Sequence, residues 1–397
     1  MTLKDIAKEA GVSITTVSNV INKNYNRVSQ NTIDKVSEIV KKNNYAPNMN
    51  AKTLAAKNSN LIFLIVPLSN NEVNMFYTPY ISDMIGMLEQ RLREHGFYSI
   101  IRSVHTFEEL DTLFQTWTSA GAIMLLPDFD CYIDQIMEKI NIPIVFMDSC
   151  NKRDDTMIVT CDNKKGMYTA TRYLIGQGHT NIAFMADFKH SEMMTERFNG
   201  YAEALNESGI PINEEFLFQI PPSHENGLKV GRDIANNHKN ITGIVTTSDY
   251  SAIGIMEGAR LSGFRIPSQL SIIGFDNMPF CTYCLPKLTT ISQNIEQKAI
   301  SAVEMLTNKI NGKLSNNKVV VDVELIERQS VANLLSKSSR IPPPQHFQCR
   351  WGMNAFLCKL LDIFYSNTFS FSKIYDIINT ERTSLNLQKG EILCILQ

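Results

Sequence analysis

Four aspartates stand at places where the sequence predicts the ends of strands: Asp148, Asp162, Asp249 and Asp276. Carboxylates at strand ends that face a crevice can accept paired hydrogen bonds from hydroxyl groups. Each of them taken singly is also explained as a helix N-cap or as part of a surface turn. Taken together, they indicate a site for a polar, hydroxyl-rich ligand.

Catalytic and metal-binding motifs are missing from the sequence. There is no G-x-x-x-x-G-K-[ST] loop, no G-x-S-x-G elbow and no H-E-x-x-H. The seven histidines are scattered, and the single C-x-x-C, Cys281 to Cys284, has no second pair at metal spacing. A Ser-His-Asp set stays possible because its members converge only in the fold. We therefore predict no catalytic residue, metal or cofactor, and a protein that is not an enzyme.

The elements that position the aspartates alternate between short apolar runs and amphipathic stretches. The predicted strands are Leu61–Pro67, Ala120–Leu126, Pro143–Asp148, Ile182–Ala186, Gly243–Thr247 and Ser271–Phe275. The predicted helices between them include Tyr80–His95, Gly166–Gly176, Arg197–Ser208 and Ser251–Gly263. This alternation predicts parallel sheets covered on both faces, arranged as two lobes. A ligand is then expected in the crevice at the carboxyl ends of the strands.

The first fifty residues have a different pattern, that of three short helices. Leu3–Ala10 is predicted as a helix with one apolar face, and Thr2 before it is a candidate N-cap. Gly11 then allows the sharp turn of a helix-turn-helix. Ser13 can cap a second helix, and a third is expected from about Asn31 to Lys42. The outer face of the second helix carries short groups suited to base edges or phosphates, namely Ile14, Thr15, Thr16, Ser18 and Asn19.

Charge separates this head from the rest of the chain. Residues 1–57 contain nine Lys or Arg and four acids, a net charge of +5, and the whole chain has −2. A basic module on an acidic body is typical of nucleic-acid binding. The sequence of the linker after the head favours a short helix after Asn48, which is too short to be stable alone. Two interpretations fit this sequence: a hinge that folds on DNA and a solvated tether.

Several motifs of the chain resemble the lactose-repressor (LacI/GalR) family of transcriptional regulators. In the head and linker these are Leu3-Lys-Asp-Ile-Ala, Gly11-Val-Ser-x-x-Thr-Val-Ser18-x-Val-Ile-Asn22, Tyr45-x-Pro-Asn48 and Ala51-x-x-Leu54. In the body they are Asp162-Asn163-x-x-Gly166, Glu196-Arg197-x-x-Gly200-Tyr201, Ser248-Asp249-x-x-Ala252-x-Gly254, Ile273-Gly-Phe-Asp276 and Leu288-Thr-Thr-Ile291. The resemblance implies a sensor core like that of periplasmic sugar-binding proteins.

The resemblance also implies which residues contact DNA. The predicted contacts are Thr2, Ser13, Ile14, Thr15, Thr16, Ser18, Asn19 and Asn22 in the head, and Asn48, Ala51, Lys52 and Leu54 in the linker. In this family the linker orders as a hinge helix on operator DNA, and Leu54 would insert into the minor groove. Lys52 stands where the family usually has Arg, so the contact keeps its positive charge but loses the planar guanidinium and its paired N–H donors.

For the effector, the resemblance implies contacts from Asp148, Arg197, Asp249, Asp276 and Gln293. Two further positions of the site depart from sugar-sensing members: Ser248 replaces a frequent Asn, and Cys161 replaces an aromatic residue of some members. The predicted effector is a carbohydrate, with a nucleobase or a phosphorylated metabolite as the alternative. The sequence names neither the effector nor the operator.

The predicted organisation is a helix-turn-helix head at 1–46, a hinge helix or linker at 47–58, an effector-binding and dimerisation core at 59–335, and an atypical extension at 336–397. The core is predicted as two lobes, about 59–161 with 292–320 and 162–291 with 321–335.

The fold class is thus α/β with a helical head, and the predicted function is that of a homodimeric repressor switched by a small molecule on a pseudo-palindromic operator. A solute-binding or sugar-processing protein with a vestigial head is the alternative, which the basic head disfavours. No secretory signal or membrane span is recognised, since the longest apolar run, Leu61–Leu68, is far too short. A cytoplasmic location is therefore expected.

Overall fold

The computed structural model describes residues 2–45, 59–68, 76, 78–125, 131–188, 191–313 and 316–335. The predictions for the hinge at 47–58, including Asn48, Ala51, Lys52 and Leu54, lie outside the described residues, as do those for the extension at 336–397. Among the helices of the described ranges, none combines the length and the apolar character that crossing a membrane requires.

The head is a bundle of three helices, α1 (Leu3–Ala10), α2 (Ile14–Ile21) and α3 (Gln30–Lys42). Thr2 caps α1 in a reciprocal capping box with Asp5, and Ser13 caps α2 by accepting a hydrogen bond from the Thr16 N–H. The buried interior consists of Ile6, Ala7, Ala10, Val17, Val20, Val36 and Ile39. The predicted helices and both predicted caps of the head are confirmed.

The turn between α1 and α2 depends on one glycine. Gly11 has φ of +68°, in the left-handed region, and its N–H bonds back to the carbonyls of Ala7 and Lys8. A side chain at this position would be strained, because residues with a Cβ rarely adopt that conformation. The turn sets the angle at which α2 leaves α1.

The first sheet of the core has six parallel strands in the order β11-β5-β4-β3-β1-β2. Their bounds are β1 Leu61–Pro67, β2 Tyr98–Val104, β3 Gly121–Leu125, β4 Ile144–Met147, β5 Met157–Cys161 and β11 Lys318–Val321. The accompanying helices are α4 Pro79–Glu94, α5 Phe107–Thr116, α6 Ile133–Lys139 and α11 Ile295–Ile310.

The second sheet also has six strands, in the order β12-β10-β9-β8-β6-β7, and only the β12–β10 pair among its described strands is antiparallel. Their bounds are β6 Ile182–Met185, β7 Leu217–Phe218, β8 Gly243–Thr246, β9 Ser271–Asp276, β10 Thr289–Ser292 and β12 Glu324–Ile326. Its helices are α7 Asn163–Gly176, α8 Glu192–Glu207, α9 His224–Asn237 and α10 Asp249–Leu261.

The chain passes between the two sheets three times, after β5, after β10 and after β11. The predicted lobe boundaries lie between 291 and 292 and between 320 and 321. β10 ends at Ser292 and β11 at Val321, so each predicted boundary lies one residue before the end of its strand. The two sheets, parallel except for β12, and their covering helices agree with the predicted fold class. The strands of both sheets end close to these crossings, where the candidate site lies.

Candidate functional site

The site begins at Asp148, the residue that follows β4. Its side chain is buried, and its two carboxylate oxygens accept hydrogen bonds from different groups. The Tyr80 hydroxyl on α4 donates to Oδ2 at 2.5 Å, and the Lys298 ammonium on α11 donates to Oδ1 at 2.5 Å. Asp148 is therefore held by the helices that flank its own sheet.

Lys298 lies on the buried face of α11, among Ala299, Ala302 and Val303, and is 0% exposed. An unpaired ammonium there would be strongly unfavourable. It donates to three acceptors: Asp148 Oδ1, the Tyr80 hydroxyl at 2.7 Å and Gln293 Oε1 at 2.8 Å. Since an ammonium has three N–H groups, Lys298 is fully satisfied by the protein.

Gln293, just after β10, connects this cluster to the second sheet. Its amide nitrogen donates to Asp276 Oδ1 at 2.6 Å, and the Cys161 thiol lies 3.5 Å from its amide oxygen. Asp276 is the last residue of β9, so the contact joins two neighbouring strand ends. The polar network thus reaches from α4 and β4 of one lobe to β9 of the other.

The backbone of this network is strained. Asp148, Asp276 and Asn294 have φ of +60°, +123° and +48°, values that residues with a Cβ rarely adopt. Each such residue costs of order 1–3 kcal/mol and persists only where its surroundings hold it in place. Strain of this kind concentrates at binding sites, and here it occurs beside the buried polar side chains.

Arg197, on α8, forms the other end of the network and is 3% exposed. Its Nε donates to Asn163 Oδ1 at 2.9 Å and its Nη1 donates to the Thr247 carbonyl at 2.6 Å. The guanidinium lies over the Phe275 ring, with its central carbon 3.7 Å from the ring centre. Asn163 also contacts Cys161, which joins Arg197 to the Gln293 side of the site.

The position of Arg197 depends on close packing of α7 against α8. A Cβ added at Gly200 would lie 2.1 Å from the Lys164 carbonyl oxygen, so only glycine permits this approach. Arg197 is one turn before Gly200 on the same helix, and Asn163 is next to Lys164 on α7. The sequence Glu196-Arg197-x-x-Gly200 therefore brings the guanidinium to the start of α7.

Asp249 is buried beside the network and holds the turn after β9. Its Oδ1 accepts from the Thr290 hydroxyl at 2.5 Å, and its Oδ2 accepts from the Met278 N–H at 2.8 Å. A Cβ at Gly274 would lie 2.1 Å from Asp249 Oδ1, so β9 has no room for a side chain there. Burial raises the pKa of Asp249 to about 6.

Burial also shifts the acids that lie in the network itself. It raises the pKa of Asp276 well above its ordinary value, and the nearby Asp249 adds to that increase. Burial likewise raises the pKa of the Cys161 thiol and, with help from Asp148, that of the Tyr80 hydroxyl. Cys161 thus has none of the character of a reactive thiolate.

Five of the seven predicted effector residues meet in this network: Asp148, Cys161, Arg197, Asp276 and Gln293. The other two adjoin it, but their side chains are engaged elsewhere. Ser248 caps α10 through the Ser251 N–H, and both oxygens of Asp249 bond to the protein. Asp162, noted as a strand-end acid, is the N-cap of α7.

Sequence reasoning missed Tyr80, Asn163 and Lys298. Asn163 belongs to a motif that carried the family resemblance, and a lysine within the apolar stripe of 295–306 is a signal that was available. Tyr80 has no such signal, because its partners lie 68 and 218 residues away. Within the described residues, no three His, Cys, Asp or Glu side chains are grouped to hold a metal.

The head presents a second candidate surface on α2. Ile14 is 48% exposed, Thr15 is exposed, and Thr16, Ser18 and Asn19 are partly buried. Ser13 and Thr2 are exposed caps, and the Asn22 amide donates to the Ser18 carbonyl at 2.9 Å. The basic residues of the described head, Lys4, Lys8, Lys23, Arg27, Lys35, Lys41 and Lys42, are all exposed. A small head with a partly exposed helix and exposed cations suits binding to DNA.

Comparisons with known proteins relate both the head and the core to known families. The family model for bacterial regulatory proteins of the lacI family matches residues 2–48, and that for a periplasmic binding protein-like domain matches residues 171–331. The transcriptional repressor PurR of Erwinia tasmaniensis is 32% identical over 339 residues, 84% of this chain and 97% of that protein. The transcriptional regulator DegA of Bacillus subtilis is 30% identical over 342 residues, 84% and 98% of the two chains.

A solved structure of the lac repressor dimer bound to operator and the anti-inducer ONPF is 26% identical, with a TM-score of 0.72. The match covers 84% of this chain and 99% of that one. With relatives that are 30% and 32% identical along nearly their whole length, the chain belongs to the lacI family of bacterial regulatory proteins and is a DNA-binding transcriptional regulator.

Proposed function

We propose that the chain is a repressor that acts as a homodimer, and that a small molecule bound at the buried polar network changes its affinity for operator DNA. The observation that carries this proposal is the presence, in one chain, of two features: a helical head whose described basic residues and whose Ile14 and Thr15 on α2 are exposed, and a strained polar network at the strand ends of two sheets. The lac repressor relative is itself a dimer bound to operator.

In this proposal, α2 enters the major groove of each half of a pseudo-palindromic operator. Thr15, Thr16 and Asn19 contact base edges or phosphates, and Ile14 contacts a thymine methyl. Thr2, Ser13, Ser18 and Asn22 complete the head surface through caps and polar contacts. From the family resemblance, Asn48, Ala51, Lys52 and Leu54 are assigned to a hinge that inserts Leu54 into the minor groove.

In the core, the proposal assigns effector contacts to Arg197, Asp276, Gln293, Cys161 and Asp148, with Ser248 at the edge. Asp249 is assigned a different role, because both its oxygens are bonded inside the protein. It holds the Met278 backbone and thereby fixes the turn that presents Asp276. We infer binding without turnover, so a purified chain incubated with bound sugars is expected to leave them unchanged.

The DNA-binding half of the proposal is tested by selecting a duplex from a randomised pool with the full chain. Thr15→Ala is expected to weaken binding to the selected duplex by about 1–3 kcal/mol for a lost base contact, while binding to random DNA changes little. The matched control is Ser37→Ala, which removes an exposed hydroxyl from α3. Equal weakening on both duplexes, or in both variants, would exclude α2 as the reading element.

The regulatory half predicts coupling between the two sites. If a ligand changes the affinity of the protein for operator by some factor, operator must change the affinity of the protein for that ligand by the same factor. Titrations of ligand with and without saturating operator measure this directly. A ligand that binds the core but shows identical affinity in both titrations would contradict the proposed switch.

A further inference from the structure

Arg197 is a buried cation whose hydrogen bonds go to uncharged groups. Its partners are the Asn163 amide oxygen, the Thr247 carbonyl and, through Nη2 at 4.0 Å, the Met193 sulfur. Within the part of the chain that the structure describes, no carboxylate oxygen lies within 4.0 Å of its nitrogens. Arg197 therefore has hydrogen bonds but no direct counter-charge.

The acids around Arg197 are committed to other groups. Asp148 is paired with Lys298 at 2.5 Å. Asp249 bonds to Thr290 and to the Met278 backbone, and Arg328 is its cationic neighbour. Glu196 is next to Arg197 in sequence, but its principal charged neighbours are Glu192, Lys318 and Asp162.

Asp276 is an acid of the network that interacts electrostatically with Arg197. It does not fully compensate the positive charge of Arg197. One of its oxygens accepts from Gln293, and its surroundings raise its pKa well above the ordinary value. A raised pKa favours the neutral acid, which carries an O–H donor instead of a charge. In its neutral form Asp276 supplies no negative charge, so the direct partners of Arg197 remain two neutral oxygens and a sulfur.

We propose that Arg197 binds an anionic group of the effector, a carboxylate or a phosphate, in preference to the hydroxyl groups of a neutral sugar. This inference rests on the proposed function, in which the network is the effector site. A guanidinium presents two parallel N–H donors that match a carboxylate or phosphate edge. Phe275 lies over the guanidinium, and the hydrogen bond of Nη2 to the Met193 sulfur is weak. We therefore assign the N–H groups of Nη2 and the second N–H of Nη1 to the ligand.

The test is thermal unfolding of the full chain at constant ionic strength. Probes are inorganic phosphate, acetate, and the matched set glucose, glucuronate and glucose 6-phosphate. A ligand of the folded state raises Tm, and we expect shifts of about 2 °C or more for anionic probes only. Arg197→Met is expected to abolish the shifts. The control Arg172→Met, an exposed arginine on α7, is expected to keep them and also corrects for anions bound at the basic head.

Asn163→Asp gives an independent test that keeps the arginine. It places a carboxylate where an amide oxygen now lies 2.9 Å from Arg197 Nε, and so supplies the missing counter-charge. We expect this variant to have a higher Tm than the wild type without ligand and to lose its response to phosphate and acetate. A lower Tm with an unchanged anion response would overturn the proposal, even if Arg197→Met does not fold.

The outcomes separate the two proposals. If neutral glucose raises Tm in an Arg197-dependent manner and the anions do not, the effector site stands and the anionic class is wrong. If no probe gives an Arg197-dependent shift, both the anionic class and the assignment of this network as the effector site fail. Anionic shifts that are lost in Arg197→Met and in Asn163→Asp support both, and comparing the glucuronate and glucose 6-phosphate shifts distinguishes carboxylate from phosphate.

Discussion

Lys298 and Arg197 are two buried cations at opposite ends of one polar network, and their surroundings differ. Lys298 has a carboxylate at 2.5 Å and gives all three of its N–H groups to the protein. Arg197 donates to neutral oxygens, and among the described residues the hydrogen bond of its Nη2 goes to a sulfur. The difference suggests that burial alone does not mark a ligand contact. A buried cation with its counter-charge in the chain is satisfied by the fold, whereas one without it is available to a ligand.

The largest expected effect comes from breaking the Lys298 ion pair. Lys298→Met leaves Asp148 buried without its cation, and removing one partner of a buried pair costs about 3–5 kcal/mol. Urea unfolding of the full chain measures this loss. Lys309→Met, an exposed lysine on the same helix, is the control and is expected to change stability by less than about 0.5 kcal/mol. Similar losses in the two variants would refute the structural role of Lys298.

Asp249 is the anionic counterpart of Arg197, since its direct partners are also neutral. Its folded pKa of about 6 lies above the ordinary 3.8, so its contribution to stability is present at low pH and is lost as pH rises through 6. Between about pH 4 and pH 7, the unfolding free energy of the wild type should fall relative to that of Asp249→Asn by about 2–3 kcal/mol. Denaturant unfolding at a series of pH values measures it. A difference that is constant with pH would show that Asp249 does not titrate in this range.

Arg197→Met should destabilise the chain less than Lys298→Met does. The substitution leaves the Asn163 and Thr247 oxygens without this donor, which costs about 1–3 kcal/mol. It does not leave a buried carboxylate without its ion-pair partner. Both variants are compared by urea unfolding under the same conditions, without ligand. If Arg197→Met proved the more destabilising of the two, the contrast drawn between the cations would be wrong.

The smallest effect is expected when both members of the Lys298 pair are replaced together. Lys298→Met with Asp148→Asn removes both charges and keeps at position 148 a residue type that tolerates a φ of +60°, and neutral replacement of a buried ion pair is often neutral or stabilising. The double variant should therefore recover most of the stability that Lys298→Met loses, leaving a net change of about 1 kcal/mol or less. A loss equal to the sum of the two single variants would mean that the charges do not interact in the folded chain.

Elements with a local signal were predicted from the sequence. β1 is an uninterrupted apolar run and was placed at Leu61–Pro67, and Thr2, Gly11 and Ser13 mark the head helices by their cap and turn chemistry. β2 is not among the predicted strands, because it is a half-exposed edge strand with a mixed pattern.

The site was predicted only in part, because its geometry depends on contacts between distant parts of the chain. Arg197, Asp276 and Gln293 came from the family resemblance. The pairing of Asp148 with Lys298 joins residues 150 positions apart, and the neutral surroundings of Arg197 depend on Asn163 and Thr247 on other elements. Asp249 was predicted as an effector contact, whereas the structure favours a role in holding the turn after β9.

The central claim is that a ligand at Arg197 controls DNA binding by the head. Fluorescence anisotropy of the full chain on its selected duplex, repeated across sugars, purines and sugar phosphates, tests it most directly. We predict that at least one compound changes the Kd for the wild type by about fivefold or more and leaves the Kd of Arg197→Met unchanged. The same change in both proteins, or no change with any compound, would contradict the account.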